Sequence, residues 1–157
     1  MKEANAIKEY LKASKKLREL GILKNKHSFT NQVGEWLVET IFEGARATSG
    51  IQKAWDIDVN GKKIQVKTHS KDGTNPARFT TISKDIGSEE LDELVIIVFS
   101  SEYKLQEFYK IPWIKALEKI KPRGKKSPRE ELNWSEMEEF RVDITELPHQ
   151  EIVKIFC

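Results

Sequence analysis

The spacing of apolar positions changes several times along the chain, and each change marks an element. From residue 2 to residue 20, Ile7, Leu11, Leu17 and Leu20 recur at helical spacing among lysines and glutamates, and Gly21 supplies a stop. A second helix is predicted from about Asn31 to Ala45, with Ser28 or Thr30 as cap and Gly44 near its end. Val33, Trp36, Leu37, Val38, Ile41 and Phe42 cover most of its circumference, so it should be well buried; Gln32, Glu35, Glu39 and Glu43 form the uncovered strip. The period then drops to two on either side of Asn60-Gly61, the strongest short hairpin signal. His69 to Ala77 reads as a loop from its Gly, Asn, Pro and Ser content. Leu94 to Phe99 is a continuous apolar run, the mark of a strand buried on both faces, and residues 104–110 form the next strand. Pro112 opens a helix running to about Lys119. Ser135-x-x-Glu138 caps a short helix, a strand follows near residues 140–144, and residues 149–156 close the chain as a terminal helix. Strands mixed with helices predict an α/β fold, a central sheet with helices packed on it.

Composition narrows the class. At 157 residues the chain has the size of one domain, with an N-terminal helix and a C-terminal extension. Charged residues make up 33% but the net charge is only +2, so any nucleic-acid footprint has to be local. No apolar run approaches the ~20 residues of a membrane span, and the N-terminus lacks the apolar core of a signal peptide. Cys157 is the lone cysteine, which excludes an internal disulfide framework and makes the cytoplasm the expected compartment. There is no glycine-rich phosphate loop, no paired cysteines for zinc and no Gly-x-Ser-x-Gly elbow; His27, His69 and His149 are scattered.

The hairpin at Asn60-Gly61 carries the candidate chemistry. A two-residue turn there pairs Val59 with Lys62, Asp58 with Lys63, Ile57 with Ile64 and Asp56 with Gln65. Alternation then puts Ile57, Val59, Ile64 and Val66 on one face and Asp56, Asp58, Lys63, Gln65 and Lys67 on the other. Opposed side chains sit roughly 5 Å apart at Cβ, so a carboxylate, an amide oxygen and an ammonium share a small area. Asp56 and the Gln65 carbonyl are hard oxygen donors of the kind Mg²⁺ takes alongside water and substrate phosphate. Lys67 suits holding a water or offsetting charge on a phosphate. The other reading of the same spacing is a solvated hairpin whose charges pair across the strands.

Asp56, with Gln65-Val66-Lys67 beginning nine positions later, resembles the core motif of the PD-(D/E)XK nuclease superfamily, in a variant with Gln in place of the second acid and Ala54-Trp55 ahead of the Asp. The resemblance covers about residues 30–110. It implies a restriction-endonuclease-like central mixed β-sheet flanked by α-helices. It further implies a metal-dependent endonuclease that hydrolyses phosphodiester bonds of double-stranded DNA and leaves 5′-phosphates. Mg²⁺ is the implied cofactor, with Mn²⁺ able to substitute. Asp56 would be the principal ligand, Gln65 would ligate through its amide oxygen, and Lys67 would orient the attacking water. The family often draws a glutamate from a helix ahead of the hairpin; Glu35 in Gly34-Glu35 matches that placement, with Glu39 one turn on as the reserve. A homodimer would match the two-fold of a palindromic site, in a restriction or mobile-element setting. A module that keeps the fold but only binds DNA is the second reading, and a nuclease for RNA or branched DNA the third.

Local basic residues complete the picture. Lys71, Arg78 and Lys84 lie near the supposed site, and Arg123, Lys125 and Lys126 lie in the one strongly basic stretch, KPRGKKSPR. Each reads either as a phosphate or base contact or as plain surface. Lys12, Lys15 and Lys16 read chiefly as a solvated helix face. His69, two positions past Lys67, reads as a bystander or as a base.

Overall fold

The computed structural model describes residues 1–24, 28–47, 55–83 and 91–157. In chain order the elements are α1 (Lys2–Glu19), α2 (Phe29–Ile41), β1 (Ala45–Arg46), β2 (Ile57–Val59), β3 (Lys62–Lys71) and β4 (Phe79–Thr81). There follow β5 (Glu93–Ser100), β6 (Leu105–Pro112), α3 (Trp113–Lys119), β7 (Lys121–Pro122), β8 (Glu130–Asn133) and α4 (Gln150–Val153). The fold is α/β, with a central five-stranded mixed sheet in the order β1-β2-β3-β5-β6. A three-stranded sheet, β4-β8-β7, accompanies it. Among the described residues no helix is long and apolar enough to cross a membrane.

The hairpin register is the one the turn residues dictate. Asn60 and Gly61 both take positive φ, 53° and 85°, the backbone a two-residue turn between twisted strands requires. Val59 pairs with Lys62, Asp58 with Lys63 and Ile57 with Ile64. β3 then runs parallel to β5 over its length, from Ile64 opposite Glu93 to Lys71 opposite Ser100, and β5 pairs antiparallel with β6. That parallel pairing carries β3 through His69–Lys71, which the sequence reading assigned to a loop; the ladder offered by β5 outweighs the local turn signals that begin at Asp72.

Two apolar clusters sandwich the sheet. Ile57, Ile64, Val66, Val95, Ile97 and Phe99 pack under α2, whose Val33, Leu37, Val38 and Ile41 are buried. On the other face Leu94, Ile96, Val98, Tyr109 and Ile111 pack against Trp113, Leu132, Trp134 and Met137. This is why β5 reads as an uninterrupted apolar run: both its faces are covered.

α2 ends at Ile41, earlier than the periodicity suggests. Glu43 takes a positive φ of 53°, and the Gly44 N–H closes back on the Glu39 carbonyl at 2.8 Å. A Cβ on Gly44 would stand 2.8 Å from the Val59 side chain, so the chain turns where only glycine fits against β2. Ser28 caps the other end, its hydroxyl accepting the Asn31 N–H at 3.4 Å. Gln32, expected on the wet strip, is instead 4% exposed and takes the Lys24 N–H at 2.7 Å.

Two further expectations change. The strand predicted near residues 140–144 reduces to one bridge between Tyr109 and Arg141, flanked by 3-10 turns at Trp134–Phe140 and Ile144–Glu146. The cap of the first of these turns is Asn133, whose side chain accepts the Ser135 N–H at 3.0 Å, rather than Ser135 itself. The basic stretch is the tip of a hairpin between β7 and β8.

Candidate metal and catalytic site

Asp56 lies where the hairpin ladder opens. Its N–H donates to the Ile64 carbonyl at 2.8 Å and its C=O accepts the Ala47 N–H at 2.8 Å. The Asp56 side chain turns to β3, where Oδ2 accepts the Val66 N–H at 2.7 Å. The strict pairing of Asp56 with Gln65 therefore gives way to a fork. The ladder ends at Ile57–Ile64, and the Asp56 carboxylate occupies the hydrogen-bonding position beside the next stretch of β3. Val66 is the residue between Gln65 and Lys67, so the carboxylate is fixed to the Gln65–Val66 peptide, next to both other candidates.

Gln65 and Lys67 follow from alternation along β3. Val66 and Thr68 face α2, and Gln65, Lys67 and His69 face the other way. Gln65 is 6% exposed, and its Oε1 is buried with no hydrogen-bond partner among the described residues. A buried amide oxygen left without a donor is costly, and a cation ligated there would satisfy it. Lys67 is half-buried. Burial pushes its ammonium below the usual lysine range, and the Asp56 charge partly offsets this. Asp56 itself is raised above the usual aspartate range by burial, against the opposing pull of the Val66 N–H and of Lys67.

Glu35 comes from α2, which the glycine before it lets lie close against β3. A Cβ on Gly34 would stand 1.9 Å from Thr68 Oγ1 and 2.8 Å from Thr68 Cβ. Only a bare Cα lets α2 lie this close to β3. The Glu35 carboxyl is raised to about 7, first by burial and then by the charge of Asp56, with Arg46 and Lys24 opposing. Glu39, the reserve candidate, is engaged elsewhere: its Oε2 takes Arg46 Nε at 2.7 Å, and the Arg46 side chain is only 4% exposed. Glu35 is thus the helix acid that shares an electrostatic environment with Asp56.

The donor set is two acids, Glu35 and Asp56, and one amide, Gln65. Among the described residues no three His, Cys, Asp or Glu side chains gather as a metal cluster. Two half-buried carboxyls with raised proton affinity and an unsatisfied carbonyl nevertheless fit a hard divalent ion, which would relieve all three. His69 lies farther along the same face, its ring 4.9 Å from that of Trp134. Burial and the charges of Lys67 and Lys71 lower it to about 4, so it stays neutral near pH 7. Its Nε2 is buried and unpartnered among the described residues.

The predicted nucleic-acid contacts divide. Arg78 is held inward, with Nη2 and Nη1 on the Glu107 carboxylate at 2.8 and 3.1 Å and Nη2 also 3.1 Å from the Tyr109 hydroxyl. Lys71 donates to the Ala77 carbonyl and lies 5.3 Å over Trp134. Arg123 stands 3.9 Å from Glu131 and 5.2 Å over Phe79. Lys125 and Lys126 are exposed at the hairpin tip. Lys84 lies outside the described residues. Sequence reasoning missed the Glu107–Arg78–Tyr109 network, which no short motif announces because Arg78 precedes β4 and its two partners lie on β6, about 30 positions on.

Comparison with protein-family models finds no match for this chain, and comparison with curated proteins finds none either.

Proposed function

We propose that the protein is a divalent-metal-dependent endodeoxyribonuclease of the PD-(D/E)XK type that hydrolyses phosphodiester bonds of double-stranded DNA. The observation that carries this reading is the fixing of the Asp56 carboxylate to the Val66 N–H, between Gln65 and Lys67, while its charge acts on both Glu35 and Lys67. Asp56, Glu35 and the Gln65 carbonyl would hold Mg²⁺ or Mn²⁺. When bound, the ion would supply Lewis acidity and charge neutralisation for the phosphate. Asp56 needs no rearrangement to serve, since three backbone hydrogen bonds already orient it. Lys67 keeps an ammonium near the reacting phosphate, where it donates to the attacking water and offsets negative charge in the transition state. Lys125 and Lys126 at the hairpin tip provide phosphate contacts away from the chemistry. A homodimer cutting both strands of a restriction-type site is the simplest assembly.

The test is plasmid cleavage with Mg²⁺ or Mn²⁺, comparing the wild type with Asp56→Ala, Lys67→Ala and Gln65→Glu. Cutting by the wild type that is lost in both alanine variants supports the reading. Cutting that survives them overturns the site. One observation favours a second reading, a DNA-binding module without catalysis: an amide, Gln65, stands where the family motif has a second acid. DNA binding with no cleavage by any variant would select it.

A further inference from the structure

No residue of α1 is buried, although the helix carries an apolar stripe. Ile7 is 60% exposed, Tyr10 66% and Leu11 56%. A lone helix of 18 residues is marginal in water, and most helical stability in proteins comes from packing an apolar face. A face of this kind calls for a cover, and the sequence of the stripe specifies which one.

At 3.6 residues per turn, Glu3, Ala4, Ile7, Tyr10, Leu11, Ser14, Leu17 and Arg18 fall within an arc of about 140°. The stripe is its own complement when read backwards. Laid antiparallel on a second copy, with a two-fold between Tyr10 and Leu11, every position of the stripe meets another position of the stripe. Tyr10 meets Leu11 of the second copy at the centre, and outward from it Ile7 meets Ser14 and Ala4 meets Leu17, a large side chain opposite a small one. At both ends Glu3 meets Arg18, opposite in charge. Leu17 also lines an apolar groove of about 390 Å³ with Phe29, Trp36 and Phe156, so the stripe runs without a break into the body of the protein.

The geometry points to α1 as the self-association element, forming an antiparallel, two-fold helix pair with α1 of a second copy of this chain. The occupant follows from the palindromic order of charge and size; an unrelated helix would have no reason to match it. The inference is independent of the chemistry at Asp56 and stands or falls without it.

Sedimentation equilibrium of the full chain tests it. The wild type should sediment as a dimer of the 18.2 kDa chain. Ile7→Lys with Leu11→Lys should give a monomer that still folds, both positions being exposed in the protomer, and whose melting no longer rises with protein concentration. Glu3→Arg should weaken the dimer about tenfold, and Glu3→Arg combined with Arg18→Glu should restore it. A monomeric wild type at micromolar concentration, a dimer that survives the paired lysines, or a charge exchange that fails to restore association would overturn the proposal.

Discussion

Asp56 Oδ2 and the Val66 backbone N–H are 2.7 Å apart, so a side chain takes a place in the sheet that a neighbouring strand's carbonyl would otherwise fill. The carboxylate therefore has a structural task in addition to the chemical one proposed for it. Asp56→Ala should leave the Val66 N–H unpaired and cost about 1–3 kcal/mol of stability. Asp56→Asn keeps an acceptor and should lose far less, while losing metal binding as fully as the alanine. Denaturant melts and Mg²⁺ titration calorimetry on the two variants separate the roles; equal melts would show that the hydrogen bond carries no stability.

Gly34 controls how closely α2 approaches β3. Gly34→Ala should force the helix outward, lowering stability by about 1–3 kcal/mol and weakening Mg²⁺ affinity because Glu35 moves with it. Thr68→Ala removes two of the three contacting atoms and should recover part of both losses. Retention of full Mg²⁺ affinity by Gly34→Ala would detach Glu35 from the site.

Acidity should tune stability through Glu35. Its folded carboxyl titrates at about 7 against a reference of 4.5, so the folded state binds more protons between these values. Stability from this group is highest below about pH 4.5, falls as pH rises through 7 and stays low above. Glu35→Gln should flatten that fall and raise the melting temperature at alkaline pH. Added Mg²⁺ should raise the wild-type melting temperature more at alkaline than at acidic pH. His69, lowered to about 4, acts in the opposite sense: its contribution is present above about 6.5 and is lost as pH falls toward 4. A wild-type profile unchanged by Glu35→Gln would contradict the carboxyl's environment described here.

Gln65→Glu would place a charge where the amide oxygen is buried without a partner. The metal-free variant should melt lower than the wild type, and its stabilisation by Mg²⁺ should be larger. Thermal melts with and without Mg²⁺ give both quantities; a variant indifferent to the ion would place Gln65 outside the coordination set.

Lys125 and Lys126 differ from Arg78 in what their loss should do. Alanine at both lysines should reduce the salt dependence of DNA binding by a slope of about 2 and leave folding intact. Arg78→Ala should chiefly destabilise, because it strips Glu107 of its bidentate partner at a site only 9% exposed. Binding isotherms at several salt concentrations, with melts of both variants, decide between the two behaviours.

The sequence reveals most where one interaction dominates. Asn60-Gly61 admits one tight turn, and the hairpin register follows; the run from Leu94 to Phe99 announces a strand covered on both faces. Glu35 comes from the resemblance, which calls for an acid on a helix ahead of the hairpin; the close approach of Gly34 to Thr68 shows only in the structure. What stayed hidden depends on partners distant in the chain. β4 and β8 are short and largely polar, and they become strands by pairing with each other and, for β8, with β7. Arg78 reads as a free cation until Glu107, on β6, closes on it. The stripe of α1 is plain in the sequence, but its exposure is not, since periodicity shows that a face exists and not what lies against it.

β3 bears Gln65 and Lys67 directly, holds Asp56 through Val66, and sets Glu35 through the contact of Thr68 with Gly34. Four consecutive residues of one strand thus act as a common ruler for every group assigned to the chemistry. Bending elsewhere in the molecule carries these groups along together without altering their mutual spacing. Changes in the smaller sheet or the hairpin tip should accordingly retune which substrates are gripped, and leave the speed of bond breaking once gripped nearly constant.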